Sequence, residues 1–438
     1  MRHSGIEWIG EIPKEWKESK TLYVLSMPIT DGPHTTPDLF DNGIPFISAD
    51  AVSDGFINFD NKRGFISKSF YEECCKKYIP QRDDIYMIKS GASTGQTAIV
   101  ETDEIFTIWS PLAVFRANKN IMIPRFLLYV LRSEGYQKQV ENNWSYGTQQ
   151  NIGMRTLEGL IVSYPNIDEQ QKIANYLDKV CGEVDEMIAL QEQMIEELKA
   201  YKQSVITEAV TKGLNPNVPM KDSGIDWIGE VPEGWKICRI KNVAALFGRI
   251  GFRGYTSDDL NKDGEGAITL SPSNMMPMCM DYSKVTYLSW KKYEESPEIM
   301  IQNGDLLMVK TGSSYGKVSY VDKLPREATI NPQILRIVPS INSKYLGYYM
   351  QTDLFIYQVE GGVVGGTIPT ISQEKINNFY VILPIDREQQ SIASYLDTKC
   401  AEIDALIAIK QAKIDELKDY KKSVIYEYVT GKKEVTQN

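Results

Sequence analysis

The chain has 438 residues, of which 48 are Lys or Arg and 58 are Asp or Glu, so its formal charge is −10. That length predicts two to four domains, and the apolar share is ordinary for a globular protein. No run of about 18 apolar residues occurs, so we expect no membrane-spanning helix, and the first residues lack the apolar stretch of a signal peptide. Six cysteines without a CxxC pair and two isolated histidines argue against a zinc site. We therefore expect a reduced, cytoplasmic protein without a bound metal.

The negative charge argues against nucleic-acid binding, but the charge is unevenly distributed. Acidic residues dominate 181–199, whereas 236–257 holds only basic charges, two of them Arg249 and Arg253. A phosphate backbone responds to the local field within about 8–10 Å rather than to the total charge. Nucleic acid therefore stays open as a partner, with weak binding by this chain alone and a need for a more basic partner.

The dominant pattern is a long helix that the chain contains twice, at 168–212 and at 386–432. Both copies lack Pro after their opening and are rich in strong helix formers such as Ala, Leu, Glu and Lys. At about 1.5 Å per residue, each helix would be roughly 65 Å long. Apolar residues recur in steps of three and four, interrupted by Gln191, at Leu177, Val180, Val184, Met187, Met194, Leu198, Tyr201 and Val205. This heptad-like seam predicts that the two copies pack together as an antiparallel coiled coil.

A short Trp/Pro element is duplicated too, at 4–16 and 223–235, with the same offset as the helices. The plan is thus a repeated unit of Trp/Pro element, globular head and long helix. Gly213 and the prolines after it end the first helix, and by symmetry the tail should return to Ser4, so we predict that the chain termini lie close together. The predicted domains are a first head at 1–165, a first helix at 166–212, a linker at 213–222, a second head at 223–383, a second helix at 384–432 and a tail at 433–438.

The two heads share a skeleton but few residues, which predicts a mixed α/β fold with different surfaces. One short helix is predicted in each, at 124–133 and at 343–352. The clearest predicted strands lie within 43–48, 84–91, 112–118, 305–312 and 333–340. The ends of the two units match, whereas their middles differ. This pattern indicates that the ends form the shared framework and that the middles carry the property that differs between the two halves.

No catalytic constellation is recognisable in the sequence. The segment 310–317 is similar to a phosphate-binding P-loop, but three residues separate its glycines where the motif needs four, and Val318 replaces the magnesium-binding Ser or Thr. Its counterpart 91–96 lacks the Lys. Asn331-Pro332 begins like the tetrapeptide of DNA amino-methyltransferases but lacks the second Pro and the aromatic residue, and no glycine-rich cofactor loop occurs. We interpret 91–96 and 310–317 as tight strand–loop–strand turns, with presentation to a ligand as the alternative.

Two further polar segments, 142–151 and 361–370, are predicted to be loops. Asn and Gln can bond adenine edges in pairs, and Arg or Lys can read guanine. The alternative is that these segments only cap the helix that follows. The acidic pairs Asp83/Asp84 and Asp258/Asp259 are interpreted as solvated turn residues.

These patterns together resemble the specificity (S) subunits of type I restriction–modification systems, over nearly the whole chain. The resemblance rests on the duplicated Trp-Ile-Gly-Glu-x-Pro-x-x-Trp element (8–16 and 227–235) and the duplicated Glu-Gln-Gln-x-Ile-Ala-x-Tyr-Leu-Asp helix start (169–178 and 388–397). The segment 31–37, the two Gly-x-x-x-Gly loops and Gly147-Thr-Gln-Gln-Asn151 resemble the family as well. Departures occur in the second half, which has no clear equivalent of Asp31-Gly-Pro-His and carries Gly-Thr-Ile-Pro in place of Gly-Thr-Gln-Gln.

The resemblance implies two target recognition domains held by an antiparallel pair of helices, each domain reading one half of a split, asymmetric double-stranded DNA site. It implies a non-catalytic chain without its own cofactor. Two modification subunits would methylate adenine with S-adenosylmethionine, and restriction subunits would use ATP and Mg²⁺. The alternatives are a single-chain restriction–modification enzyme and a scaffold without a nucleic-acid role. The residues predicted to bind DNA are Lys89, Ser90, Ser93, Thr94, Gln96, Tyr146, Thr148, Gln149, Gln150, Asn151, Arg249, Arg253, Lys310, Ser313, Ser314, Tyr315, Lys317 and Thr367.

Overall fold

The structure is a computed structural model that describes residues 1–53, 55–146, 149–261, 264–363 and 369–435, without the side chains of Tyr146 and Phe252. Internal contacts divide the chain into two compact units, Met1–Glu192 with Gln411–Asn438 (unit 1) and Gln193–Lys410 (unit 2). Each unit combines a mixed α/β head with part of both long helices, which confirms the predicted fold class. None of the helices in the described ranges is both long and apolar enough to cross a bilayer.

Unit 1 is built on a five-stranded sheet of order β4-β11-β8-β9-β6 and a three-stranded sheet of order β10-β5-β7, with three two-stranded pairs, β1-β2, β3-β14 and β12-β13. Its strands are β1 (Arg2–His3), β2 (Glu11–Ile12), β3 (Lys17–Lys20), β4 (Thr30–Asp31), β5 (Ile44–Ile47), β6 (Gly55–Phe56), β7 (Gly64–Ile66), β8 (Ile85–Ile88), β9 (Thr97–Ile99), β10 (Thr107–Ile108), β11 (Leu112–Phe115), β12 (Ser145–Tyr146), β13 (Gln150–Asn151) and β14 (Ile161–Tyr164). Its helices are α1 (Lys68–Cys75), α2 (Pro124–Arg132), α3 (Glu134–Asn143), α4 (Met154–Gly159) and the first part of α5 (Ile167–Lys212).

Unit 2 has two four-stranded sheets, β18-β27-β24-β25 and β19-β23-β20-β26, and the pairs β15-β16, β17-β28 and β21-β22. Its strands are β15 (Met220–Asp222), β16 (Glu230–Pro232), β17 (Lys236–Arg239), β18 (Ala244–Gly248), β19 (Leu260–Asn261), β20 (Ala267–Leu270), β21 (Met275–Met276), β22 (Cys279–Met280), β23 (Thr286–Leu288), β24 (Leu306–Val309), β25 (Val318–Tyr320), β26 (Ala328–Ile330), β27 (Ile334–Pro339) and β28 (Tyr380–Leu383). Its helices are α6 (Ile240–Val243), α7 (Trp290–Glu294), α8 (Ser343–Tyr349), α9 (Asp353–Gly362), α10 (Gln373–Asn377) and the first part of α11 (Asp386–Val429).

The two heads share the skeleton that the sequence predicted. The order β4-β11-β8-β9 in unit 1 matches β18-β27-β24-β25 in unit 2, and each second sheet contains one parallel pair, β5 with β10 and β20 with β26. Strand β8 is buried on both faces, because Ile85 and Met87 enter one core while Tyr86 and Ile88 enter the other. Burial on both faces explains why β8 and β24 read as continuous apolar runs rather than alternating ones.

More helix is present in the heads than the sequence predicted. Helix α3 directly follows α2 after Ser133, whose hydroxyl accepts a hydrogen bond from the Tyr136 amide, and Thr352 caps α9 in the same way. The polar segment 142–151 therefore begins inside a helix, which corrects its interpretation as a loop. A Ser or Thr between two short helical patterns was the available signal.

The long helices pair antiparallel within each unit, as predicted. In unit 1 the ring centroids of Tyr176 and Tyr428 lie 4.5 Å apart, and Lys421 Nζ lies 2.7 Å from Asp185 Oδ1. Because the residue number in α11 falls as that in α5 rises, the two segments run in opposite directions. In unit 2 Lys202 Nζ lies 2.7 Å from Asp404 Oδ2.

The predicted apolar seam of α5 is partly wrong. Met187 and Tyr201 are 44% and 55% exposed, whereas Ile195, outside the predicted set, is 7% exposed. A straight α-helix completes one turn every 3.6 residues. Positions that repeat strictly every seven residues therefore drift around its surface over the 46 residues of α5. Helix α11 also ends at Val429, three residues before its predicted end, since Gly431 follows with φ +66°.

The duplicated Trp and Glu-Gln-Gln motifs join each head to the helices. Trp16 Nε1 donates to Glu169 Oε1 over 3.2 Å, and Trp235 Nε1 donates to Glu388 Oε2 over 3.0 Å. A Cβ added to Gly431 would lie 2.9 Å from the Trp16 ring, so each tryptophan also packs on the glycine that ends a long helix; Gly213 stands against Trp235 similarly. The repeated motifs thus carry architecture, as the sequence indicated.

The first glutamine of each repeated Glu-Gln-Gln motif is a buried connector. Gln170 Oε1 accepts from the Ile123 amide over 2.8 Å, and Gln170 Nε2 donates to the Ile121 and Pro165 carbonyls, each over 2.9 Å. Gln389 makes the matching bonds to the Asn342 amide and the Pro384 carbonyl. One buried amide therefore fixes the start of each long helix against its head.

Gln170→Leu should lower the free energy of unfolding by about 1–3 kcal/mol, because it leaves buried backbone groups without partners. Gln171→Leu is the matched control, since Gln171 is exposed and bonds only Asn175 among the described contacts; its effect should stay within about 0.5 kcal/mol. Urea unfolding followed by circular dichroism measures both. Equal losses for the two variants would contradict this role of Gln170.

The interpretation of Asp83 and Asp84 as solvated turn residues is wrong for Asp84. Asp84 is 1% exposed, and its carboxylate accepts from Arg116 Nε over 2.6 Å and from Arg116 Nη2 over 2.7 Å. Unit 2 repeats the pair as Asp305 Oδ2 with Arg336 Nε at 2.7 Å. A charged residue next to a turn looks solvated in the sequence, because the partner that permits its burial, Arg116 just after β11 or Arg336 in β27, is distant along the chain.

The first residue and the last described residues of the chain lie close together in unit 1, in agreement with the predicted layout. Met1 and Glu434 line one shallow surface cavity, and the Tyr426 hydroxyl lies 3.3 Å from the Trp8 carbonyl oxygen. The end of α11 therefore packs beside the first Trp/Pro element.

Candidate nucleic-acid interface

The glycine loop of unit 1 connects β8 to β9 and lies against the β12–β13 ribbon. Gly91 and Gly95 have φ of +109° and +98°, a conformation that favours glycine. The Gly91 amide donates to the Gln150 carbonyl over 3.0 Å, and Thr94 Oγ1 donates to the Gly91 carbonyl over 2.7 Å. A β-bridge joins Ser90 to Asn151. Two segments far apart in the sequence thus form one polar cluster.

Unit 2 repeats this arrangement with different side chains. Gly312 and Gly316 have φ of +107° and +83°, and the Gly312 amide donates to the Pro369 carbonyl over 3.1 Å. A β-bridge joins Thr311 to Thr370. Both glycine loops are tight strand–loop–strand turns, as predicted, and each is held against the second polar segment of its own head.

The lysine that precedes each glycine loop occupies a different electrostatic setting in the two units. In unit 1 the Lys89 side chain is 13% exposed, and its Nζ lies 3.2 Å from Oδ2 of the buried Asp31. Lys77 also pairs with Asp31. Burial alone would raise the pKa of Asp31, but the hydrogen bonds and charges of Lys77 and Lys89 outweigh burial and hold that pKa below its usual value.

In unit 2 the acid is missing. Asp31 pairs in register with Ala113 of β11, and the matching position opposite Leu335 of β27 is Gly248. A Cβ at Gly248 would lie 3.2 Å from Lys310 Nζ. In the described part of the chain no carboxylate lies within ion-pair distance of Lys310, and burial lowers the pKa of this lysine. Lys310 is therefore a half-buried cation without an acidic partner among these residues, whereas the charge of Lys89 is balanced by the carboxylate of Asp31.

The predicted pair Arg249 and Arg253 makes bonds inside unit 2. Arg249 is 6% exposed and donates to the Ile330 carbonyl over 3.1 Å and to Thr329 Oγ1 over 3.0 Å. Arg253 Nη1 lies 3.4 Å from Glu298 Oε1. The guanidinium of Arg249 is thus engaged by groups of β26, and that of Arg253 lies near a glutamate, and their role in binding DNA stays a prediction.

The other predicted residues differ in exposure. Tyr315 packs against the core of unit 2 and is only partly exposed. Thr148, Thr367 and the side chain of Tyr146 lie outside the described residues. The partly exposed members are Ser90, Thr94, Gln150, Ser314 and Lys317, and the exposed members are Ser93, Gln96, Gln149, Asn151 and Ser313.

The sequence did not reveal that Asp31 is the ion-pair partner of Lys89. Asp31 was named only as part of the Asp31-Gly-Pro-His segment. The absence of that segment from the second half was the available sign that the two lysines have different surroundings. Within the described ranges no three His, Cys, Asp or Glu residues are grouped closely enough to hold a metal ion.

A family model described as the type I restriction modification DNA specificity domain matches the chain twice, at residues 13–200 and 232–419. The chain belongs to this family. Each match contains one head and most of one long helix, which agrees with the duplicated plan. Specificity subunits of this family are non-catalytic DNA-recognition subunits.

Full-length relatives and solved structures agree with the assignment. The putative type I restriction enzyme MjaX specificity subunit of Methanocaldococcus jannaschii is 26% identical over 97% of this chain and 95% of that protein. The EcoKI specificity subunit of Escherichia coli K12 is 22% identical over 91% of this chain and 84% of that protein. A chain solved in work on complex assembly and conformational transition of the type I R-M system has a TM-score of 0.70 at 17% identity and covers 96% of this chain and 98% of its own length. The HsdS subunit of Thermoanaerobacter tengcongensis has a TM-score of 0.50 at 16% identity, with coverage of 96% and 98%.

Proposed function

We propose that this specificity subunit selects a two-part, asymmetric DNA site, with the head at 1–165 reading one half and the head at 223–383 reading the other. The observation that carries the proposal is the pair of polar clusters at equivalent positions on a duplicated frame, with different side chains in each. Because the two clusters occupy equivalent positions, each can contact one half of a DNA site. Because their side chains differ, the two half-sites that they select should differ too.

The proposed contacts are the side chains that the glycine loops and their partner segments leave accessible. In unit 1 they are centred on Gln96, Gln149 and Asn151, which offer amide groups suited to adenine edges. In unit 2 they are centred on Lys310 and Lys317, which suit guanine or a phosphate. Lys89 is not among them, because its ammonium group is bound to Asp31.

The helices at 166–212 and 384–432 are proposed to set the spacer between the half-sites and to dock two modification subunits. Those subunits would supply S-adenosylmethionine and the methyl transfer to adenine, and restriction subunits would supply the ATP- and Mg²⁺-dependent steps. The linker at 213–222 and the tail at 433–438 would connect the repeated units. We place the activity in the cytoplasm, where such a complex meets DNA.

The test is to express the chain with its modification subunits in a host that lacks other adenine methylation and to sequence the methylated positions. We expect a single motif of two unlike halves separated by a spacer of fixed length. Methylation at one contiguous sequence, or at a symmetric one, would contradict the proposal. Methyl transfer by the purified chain alone would favour a single-chain enzyme, and an absence of any motif would favour a scaffold.

A further inference from the structure

A basic groove in unit 1 lies beside the glycine loop and is not explained by the residues proposed to read bases. The groove encloses about 490 Å³. Thr94 and Gln96 of the loop form part of its lining, and the last turns of α11 form another part. The groove therefore adjoins the cluster proposed to contact DNA.

The lining of the groove carries an excess of positive charge. Among the described lining residues the cations are Arg132, Lys418, Lys421 and Lys422, and the acid is Asp185. Lys421 Nζ lies 2.7 Å from Asp185 Oδ1, so this acid is already engaged. Lys418 and Lys422 add positive charge to the groove in a chain whose total charge is −10.

Lys418 and Lys422, about one turn apart on α11, are both accessible. Lys422 Nζ lies 3.3 Å from Asp419 Oδ1, but both side chains are more than 70% exposed, so water and salt weaken that pair. In the described part of the chain, no acidic side chain lies within ion-pair distance of Lys418. These side chains can approach a phosphate without first breaking a buried contact.

The fold itself does not require this excess charge, as the repeated frame of unit 2 shows. The Lys421–Asp185 pair is reproduced there by Lys202 and Asp404, also at 2.7 Å. The positions that match Arg132 and Lys422 hold the neutral residues Gln351 and Gln203. Gln203 Nε2 donates to the Gln351 carbonyl over 2.8 Å, so at these two positions the packing forms without cations. The other two positions keep a lysine, Lys199 for Lys418 and Lys202 for Lys421.

We propose that the groove binds the phosphate backbone of DNA next to the half-site read by unit 1, with Lys418 and Lys422 as the contacting cations. This inference rests on the proposed function. Phosphate contacts fix the position of a protein on the duplex without reading its sequence. They also supply affinity that falls with salt, as counterions are released. Lys421, held by Asp185, is a positioning residue.

Lys418→Gln/Lys422→Gln, tested within the complete modification complex, should reduce the slope of log affinity against log salt by about 2, since each phosphate contact contributes about 0.9. The affinity for a duplex with the methylated motif and for a scrambled duplex should fall by the same factor. The motif in the methylome should be unchanged. Fluorescence anisotropy between about 50 and 200 mM salt measures the slope.

The matched control is Lys172→Gln/Lys413→Gln, which removes the same charge from exposed positions of the two long helices in unit 1. This control should leave the slope unchanged. A slope as steep in the groove variant as in the wild type overturns the inference, as does an equal reduction in the control.

Inorganic tripolyphosphate distinguishes a DNA backbone from a small phosphate ligand. Saturable binding of tripolyphosphate that the groove variant abolishes, together with an unchanged salt slope for DNA, would assign the groove to a small anion and overturn the inference. Failure of the proposed function would show differently, as a wild-type complex without a methylation motif.

Discussion

Gly248→Asp should weaken binding of the unit 2 half-site by about 10- to 100-fold, corresponding to the roughly 1–3 kcal/mol of a good base contact. The added carboxylate would stand beside Lys310, since the new Cβ lies 3.2 Å from the lysine Nζ. It would recreate in unit 2 the pair that Asp31 and Lys89 form in unit 1. The substitution is sterically tolerable, because the nearest atoms are the ends of flexible side chains and the φ angle of Gly248 lies outside the left-handed region.

Gly248→Asn is the matched control, with the same shape and no charge, and its affinity should remain close to that of the wild type. A second arm uses Lys310→Gln. If the aspartate acts by occupying the lysine, Gly248→Asp should add little to Lys310→Gln, because interacting residues are not additive. Competition between duplexes altered in one half-site measures the effect. Full additivity of the two changes, or equal losses from Asp and Asn, would contradict the role of Lys310.

Asp84→Asn should lower the free energy of unfolding by about 3–5 kcal/mol, because it leaves the guanidinium of Arg116 without its buried counter-charge. The carboxylate also accepts from the Gln81 amide over 2.8 Å and from the Tyr78 hydroxyl. The hydrogen bond to Asp84 raises the pKa of Arg116, so the arginine stays charged throughout the accessible range of pH. The loss would fall on the sheet that carries the glycine loop.

Asp83→Asn is the control for this change. Asp83 makes an exposed pair with Lys119 Nζ at 2.6 Å, and such pairs contribute about 0–1 kcal/mol. Asn also tolerates the φ of +74° at this position. Calorimetry and urea unfolding should separate the two variants clearly. Similar midpoints for Asp83→Asn and Asp84→Asn would mean that the buried pair does not stabilise unit 1.

Prediction from the sequence succeeded where a pattern is local and repeated. The long helices follow from helix-forming residues without proline, and the end of the first follows from Gly213. The shared skeleton of the heads was predictable because the buried runs of β8 and β24 keep their apolar character in both copies. Helix α3 and the phase of the coiled-coil seam were not, because capping by one serine and the drift of 3.6 against 3.5 residues are small signals.

The candidate interface was predictable in its segments but not in the roles of its residues. Residues 90–96 and 149–151 were predicted as separate polar segments, and the structure joins them through Gly91 and Gln150. Lys89 and Lys310 are indistinguishable in the sequence, since each precedes a Gly-x-x-x-Gly loop. Whether each lysine has an acidic partner depends on the residue on the neighbouring strand.

The sequence by itself determined the duplicated architecture, because helix propensity, glycine ends and the repeated Trp and Glu-Gln-Gln motifs act over short stretches of chain. Only the tertiary structure decided which cations have partners. Pairing of β4 with β11 brings Asp31 within reach of Lys89, and the same pairing in unit 2 brings Gly248, which has no charge to offer Lys310. Such pairings depend on distance in space, since the Coulomb energy of two charges is set by their separation and their exposure to water.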